Sequence, residues 1–150
     1  MMIRFQETLT VSEFLEGIKQ RYTNLEKLRV HVKGHPRDVL AKQDLEDFEY
    51  YIKRPELMRE KIQRAVSLIP VTPEALTIFT DQRLKMLDTL QSRRFESVRQ
   101  LADYLGRDVR NVYDDLKRFQ SLGILDFEQG PGNRKIPRLL ADAILLTPGK

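Results

Sequence analysis

The sequence predicts a mainly α-helical protein with a small β component. Two patterns predict it. Apolar residues recur at steps of three and four through much of residues 12–122, the period of helices that each bury one stripe. After Gly123 the period changes to two: Leu125 and Phe127 alternate with Asp126 and Glu128, as in a half-exposed strand. Size agrees with this reading. A chain of 150 residues, 41% hydrophobic and 32% charged, suits one domain, or a small domain with an appendage, whose core needs no covalent staple.

In chain order, Ile3, Phe5 and Leu9 alternate with Arg4, Gln6 and Thr8, which predicts a short strand over Met2 to Thr10. Thr10 or Ser12 then caps a helix to about Leu28, with Phe14, Leu15, Ile18, Tyr22 and Leu25 as its apolar stripe. Leu28-Arg29-Val30-His31-Val32 reads as a second strand, and Gly34-His35-Pro36 as a break. Residues 37–69 are densely charged with helical spacing. Val39, Leu40, Phe48, Tyr51 and Ile52 mark one arm. Leu57, Met58, Ile62, Ala65, Val66 and Ile69 mark a second, entered at Pro55, where a missing N–H costs nothing. The expectation is a helical hairpin, serving as a dimer arm or a partner-binding arm.

Pro70-Val71-Thr72-Pro73 is the expected boundary, because two prolines within four residues stop one element and start another. It divides an N-terminal strand and helical region, 1–70, from a C-terminal domain, 71–150. There Glu74 to Phe79 reads as a short helix or turn. Thr80-Asp81 caps a helix carrying Leu84, Met86, Leu87 and Leu90. Ser97 caps another with Val98, Leu101, Ala102 and Leu105 inward. A tight turn, Gly106-Arg107-Asp108, leads into a third helix capped by Asp108 and stopped by Gly123, with Val109, Val112, Leu116 and Phe119 on one side. Gly130-Pro131-Gly132-Asn133 then turns a hairpin whose return, Lys135 to Leu140, contains Pro137 and so must run at an edge. Ala143-Ile144-Leu145-Leu146 is a last apolar run before a Thr-Pro-Gly-Lys tail; Ile3 and Phe5 are expected to pair with Ile144 to Leu146 as strands, within or between subunits. Three helices followed by a Gly-turned, basic-tipped hairpin make a winged helix-turn-helix, with the N-terminal strand–helix and the helical hairpin as its extension.

Composition removes several functions. There is no cysteine, which rules out a disulfide, a thiolate nucleophile and any Cys-based metal or iron–sulfur site, and fits a reducing, cytoplasmic setting. The first ten residues lack an apolar signal core, and no run of about 18 apolar residues occurs, so neither a signal peptide nor a membrane span is expected. His31 and His35 lie four apart, but Gly34 and Pro36 interrupt the helix that would pair them, and no third ligand is near; no metal and no cofactor are expected. Glu13 with Glu16, and Asp44 with Glu46 and Asp47, lie on charged helical faces without a pocket signal, so no enzyme is expected.

Charge points elsewhere. Net charge is +4, and the sequence pI of about 9.4 passes the loose threshold for nucleic-acid binders. Residues 1–80 hold 13 basic and 12 acidic residues; residues 81–150 hold 13 and 10. Opposite the apolar stripe of the third C-terminal helix, at about 100° per residue, stand Arg107, Arg110, Asn111, Asp114, Lys117, Arg118 and Ser121. Arginine can read guanine O6 and N7, and asparagine adenine N6 and N7, in a major groove about 12 Å wide that admits one helix. Arg110 and Asn111, in the first turns, are the candidates for base contacts; Arg107, Lys117 and Arg118 are the candidates for phosphate. The hairpin tip adds Arg134, Lys135 and Arg138 for backbone or minor groove. Ser97 and Arg99 start the preceding helix, where free N–H groups can meet a phosphate; a plain cap accounts for Ser97 equally well.

Asp114 and Asp115 stand against this reading, since a carboxylate repels phosphate. Asp114 can hold Arg110 and Arg118, four residues to either side, in fixed rotamers. It can also accept from cytosine N4.

From Thr80-Asp81-Gln82-Arg83-Leu84 through Leu125, with LADYLGRDVRNVYDDLKRFQSLGIL at its centre, the sequence resembles MarR-type winged-helix regulators, and within them a small prokaryotic, antitoxin-like group with a short N-terminal strand–helix. The resemblance covers residues 74–146 well and 2–28 loosely; residues 34–70 look like an insertion. It implies a double-stranded DNA-binding repressor of its own operon whose residues 1–70 hold a toxin partner, and because a single winged domain contacts few base pairs a homodimer is expected. The competing expectation is a protein-interaction module that uses the same scaffold without DNA.

Overall fold

A computed structural model describes residues 1–148. Gly149 and Lys150, the end of the tail noted above, lie outside the described residues. The elements run β1 (Met2–Thr10), α1 (Val11–Tyr22), α2 (Leu25–Gly34), α3 (Val39–Ile52), a 3-10 turn (Pro55–Leu57), β2 (Lys61–Pro70), α4 (Pro73–Leu76), α5 (Asp81–Ser92), α6 (Val98–Leu105), α7 (Val109–Ser121), β3 (Leu125–Gln129), a second 3-10 turn (Pro131–Asn133), β4 (Lys135–Leu139) and β5 (Ala143–Thr147). The chain is thus mainly α with a small β component. One sheet has the order β2-β1-β5; the other is the β3-β4 hairpin.

The chain divides at 7/8 and 65/66, not at 70/71. Residues 1–7 and 66 onward form one unit, and residues 8–65 form the other. Strand continuity explains the difference. β1 and β2 each run through a division, so the Pro70–Pro73 segment ends a strand and is not a linker between bodies.

In the unit of residues 8–65, Thr10 caps α1 reciprocally: its hydroxyl accepts from Glu13 N (3.1 Å), and Glu13 accepts from Thr10 N (3.0 Å). Val11, Phe14, Leu15 and Ile18 face Leu28 and Phe48 in a small core. Two expectations fail here. Leu28 to Val32 is not a strand but the middle of α2, which follows α1 after only Thr23 and Asn24, α1 ending at Tyr22, short of Leu28. Asn24 decides it: its side chain accepts from Lys27 N at 2.9 Å, and Leu25, Leu28 and Val32 then make the inward stripe while Val30 points to water.

The helical hairpin also loses its second arm, because residues 61–70 are strand β2. Most of β2 is partly covered on both faces. Such a strand lacks the period-two signature, and Ile62, Val66 and Ile69 fall at helical steps by coincidence. Arg64 lies buried against Asp44 and Asp47 of α3, with its guanidinium 4.2 Å from the Phe14 ring centre, and Arg21 adds a 3.1 Å bond to Asp44. Burial raises the pKa of Asp44, and the positive charge of Arg64 opposes that rise. His31 Nε2 donates to Asp38 Oδ2 at 2.9 Å, and the His31 ring stacks on His35 at 4.2 Å.

In the other unit, β1 and β5 pair antiparallel with Ile3 opposite Leu146 and Phe5 opposite Ile144, the pairing expected, formed within one chain. Ile3 and Phe5 are fully buried and join Met86, Leu101, Val112, Leu116, Phe119, Ile124 and Leu125 in one core. The helices start at the expected caps. Thr80 accepts from Arg83 N, Ser97 from Gln100 N, and Asp108 from Arg110 N and Asn111 N. α6 stops because Gly106 takes a left-handed conformation (φ 65°), which glycine adopts without a side-chain clash.

Leu116 sits in that core with no exposed surface. Leu116→Ala is expected to cost about 2–5 kcal/mol of stability in a urea titration.

Candidate nucleic-acid interface

Three short pieces of chain meet to form the candidate site: the start of α6, the outward side of α7 and the tip of the β3-β4 hairpin. α6 and α7 are joined by three residues, Gly106 to Asp108. Arg107 N donates to Ala102 O at 3.0 Å, which closes the turn onto the end of α6. Val112, Leu116 and Phe119 bury the inner side of α7. Arg110, Asn111, Asp114, Lys117 and Arg118 are all exposed. The hairpin pairs Leu125 with Leu139 and Gln129 with Lys135. Its tip closes by a 2.7 Å bond from Gly130 N to Arg134 O, with Gly132 and Asn133 both at positive φ. A Cβ on Gly130 would meet Ile136 Cδ1 at 3.0 Å, a tight contact that the Ile136 side chain would have to yield to.

Two open hollows, each of about 450 Å³, show which side chains come together. One is lined by Val98, Val109, Arg110, Tyr113, Asp114 and Lys135. The other is lined by Glu96, Ser97, Arg99, Gln100, Asp103 and Arg134. Ser97 adjoins Val98 and Arg134 adjoins Lys135 in the chain, so the start of α6 and the hairpin tip contribute to both hollows. Together the hollows collect Ser97, Arg99, Arg110, Asp114, Arg134 and Lys135 from the sequence-derived set. Lys117 reaches the first through Tyr113, whose ring centre lies 5.5 Å from the lysine nitrogen. Arg118 follows Asp114 by one turn on the same stripe, and Asn111 is exposed on α7 beside Arg110.

Two members of the set are elsewhere. Arg107 is folded inward, its side chain only 14% exposed, with Nη2 2.7 Å from Asp115 Oδ2. A helical wheel placed it on the open face, but Arg107 precedes the cap of α7, so the wheel does not govern its direction. Arg138 is exposed but paired with Glu128, and it lines a different hollow beside Arg93 and Arg94. Alternation along β4 sends Ile136 and Arg138 to the face opposite Lys135 and Pro137. The three cations of the hairpin therefore do not form one cluster.

The two adjacent aspartates have opposite fates. Asp115 is buried and receives two guanidinium groups, Arg83 Nε at 3.0 Å and Arg107 Nη2 at 2.7 Å. Arg83 also donates to the carbonyls of Thr77 and Ile78 at the end of α4. Arg107 Nη1 is buried without a partner among the described residues. Asp115 therefore presents no charge to a ligand. Asp114 is exposed, and no ion pair joins it to Arg110 or Arg118 among the described residues, so the rotamer-holding role is absent.

Tyr113 is the site residue that sequence reasoning missed. Its hydroxyl takes a 2.9 Å bond from Lys135 Nζ, and its ring stacks on Phe127 at 5.8 Å. Lys135 lies 5.4 Å from the Tyr113 ring centre and 5.7 Å from that of Phe127. The hydrogen bond from Lys135 lowers the pKa of the phenol, and the charges of Lys135 and Lys117 act in the same direction. The signal was an aromatic residue four before a lysine on a basic helix, but the partner across the hairpin was not legible.

Among the described residues no cluster of three His, Asp or Glu is arranged to hold a metal ion. Nor is any helix there long and apolar enough to cross a membrane. The family model HVO_A0114 matches residues 78–146, just under half of the chain, from the segment between α4 and α5 into β5. No curated protein and no solved structure matches the chain.

Asp115→Ala strands two buried guanidinium groups and is expected to cost about 3–5 kcal/mol in denaturant unfolding. Asp114→Ala, one residue away, should stay within about 0.5 kcal/mol. In an alkaline absorbance titration, Tyr113, identified by difference from Tyr113→Phe, should ionise below the ordinary tyrosine range, and Lys135→Met should move it back up.

Proposed function

We propose that residues 78–146 are a winged helix-turn-helix that binds double-stranded DNA, with α7 as the helix entering the major groove and the β3-β4 hairpin as the wing. The observation that carries this reading is that Arg110, Lys117 and Arg118 are exposed on the outward side of a helix whose back is buried, with two open hollows beside it that bring in Arg99, Arg134 and Lys135 from the start of α6 and the hairpin tip. A three-residue turn containing glycine between two helices is the connection such motifs use. Arg110 and Asn111 sit in the first turn of α7, where base edges are read. Arg99, Lys117, Arg118, Arg134 and Lys135 serve the phosphates, with the Ser97-capped start of α6 beside them.

The biological role proposed is a cytoplasmic, MarR-like transcriptional repressor of the antitoxin-like kind, which occludes its own promoter and holds a toxin through residues 8–65. One winged domain spans few base pairs. A homodimer on a near-palindrome follows, with half-sites about 10–10.5 bp apart or a multiple of that.

Asp114 favours a second reading. It is an exposed carboxylate in the hollow beside Arg110, without an ion-pair partner among the described residues, and suits a protein ligand that carries a cation. In that case the face is a protein-interaction module.

A gel-shift titration against the chain's own upstream DNA separates the two. DNA binding predicts a complex that weakens steeply with salt. Arg110→Ala should lose about 1–3 kcal/mol of sequence discrimination with the fold intact, and Arg134→Ala should weaken all sequences alike and reduce the salt slope by about 1. No salt-sensitive complex at micromolar protein would move the reading to the interaction module.

A further inference from the structure

The sheet β2-β1-β5 has two edges of different character. β2 is bounded by Lys61 and ends at Pro70. Lysine and proline are residues that natural edges use to discourage further pairing. β5 is Ala143-Ile144-Leu145-Leu146-Thr147, with neither charge nor proline inside it. Residues directly opposite in an antiparallel pair lie on the same sheet face, so Ile144 and Leu146 share the face of Phe5 and Ile3. Under β1 that face is closed, with Ile3 and Phe5 at 0% exposure. Under β5 it is bare: Ile144 is 41% and Leu146 60% exposed. Leu145, on the opposite face, is 40% exposed. Beside Ile144 a hollow of about 230 Å³ opens toward α5, with Leu84, Leu87, Ile124, Leu139 and Ala141 on its apolar side and Asp88, Gln91 and Asp142 on its polar side; Leu84 is 45% exposed. The core therefore runs out to the sheet edge and stops uncovered.

We infer that this edge is the dimer interface and that its occupant is β5 of a second copy, antiparallel, with Leu145 nearest the two-fold axis. Three features select that occupant. An edge strand offers backbone donors and acceptors, which only another extended segment can match along its length. The strand has no charged side chain, so two copies can face each other without like charges in contact. A two-fold pairing also sets each Ile144 against the partner's Leu146, so that each copy extends the other's bare apolar face, an isologous contact. Five residues of strand are about 17 Å long. Even with Leu84 and the hollow, the strip falls at the low end of dimer interfaces, which bury about 800 Å² per partner. The dimer is accordingly concentration-dependent. The inference concerns the dimer that the DNA reading calls for, but it rests on the sheet alone.

The test uses the full chain without DNA. Light scattering after gel filtration, from about 1 to about 200 µM protein, should show monomer passing to dimer over the range where a small interface dissociates. The double substitution Ile144→Lys, Leu146→Lys should remain monomeric throughout with an unchanged circular dichroism spectrum. Because the chain has no cysteine, Leu145→Cys places a single thiol near the axis. Mild oxidation should cross-link it, whereas Leu76→Cys, exposed on α4 and outside the strip, should not cross-link under the same conditions. The inference is overturned if the wild type stays monomeric at the highest concentration. It is overturned equally by a well-folded Lys variant that dimerises as the wild type does, or by a Leu145→Cys that cross-links no better than Leu76→Cys. If the Lys variant does not fold, the cysteine pair decides alone. None of these readings involves DNA, so a failed interface and a failed DNA assignment are seen separately.

Discussion

The candidate face depends on one buried carboxylate. Asp115 lies on the inner side of α7, and without partners its charge would not tolerate the core. Arg83, from the first turn of α5, and Arg107, from the turn between α6 and α7, both reach it. Two elements are thereby tied to a single point on α7, and the fork of each guanidinium restricts how the helix can rotate or slide. An apolar side chain at 115 could satisfy packing as well, since buried ion pairs often contribute little net stability. It could not set the angle in the same way. The clamp explains why α7 turns Arg110, Asp114, Lys117 and Arg118 outward together.

The clamp also shows where reading the chain as a sequence worked. Caps were legible because each is a local device: Thr10, Thr80, Ser97 and Asp108 hydrogen-bond within three residues of themselves. The buried stripe of α7 was legible because one helical period fixes it. Arg107 was not, because it sits outside the helix and answers to a residue eight positions away. Arg138 was assigned by its nearness to the tip, whereas strand alternation turns it to the other side. β2 was hidden for a related reason, since a strand covered on both faces shows no alternation, and its pairing partner lies some sixty residues earlier. Asn24 and Asp38 are a smaller case: each caps a helix, α2 and α3, at a point where apolar spacing alone marks no new start.

Charge density was a poor guide to surface in residues 37–64. That segment reads as a solvated face, yet Asp44 and Arg64 are among its most buried side chains, and they meet over Phe14. The same device recurs in both units: a carboxylate inside, two arginines on it, and helices held in place as a result. In each, the arginines come from separate elements, Arg21 of α1 and Arg64 of β2 in one, Arg83 and Arg107 in the other. Counting Lys and Arg along the chain therefore overstates the charge available to a ligand. Four arginines are committed to two internal aspartates.

That subtraction sharpens the argument about the open face. Six exposed cations remain around α7, Arg99, Arg110, Lys117, Arg118, Arg134 and Lys135, against three carboxylates lining the hollows, Glu96, Asp103 and Asp114. Glu96 and Asp103 belong to the hollow at the start of α6, within reach of Arg99 and Arg134. Asp114 stands on the outward side of α7, in the same hollow as Arg110. Within a screening length of about 8 Å its charge offsets part of what Arg110 offers a phosphate. It leaves untouched the bidentate donation by which arginine reads guanine. A carboxylate so placed weakens attraction to any polyanion and leaves a larger share of the binding to contacts that depend on the base. On the DNA reading, Asp114 trades affinity for discrimination, and the phosphates must be held from the periphery, by the hairpin tip and the start of α6.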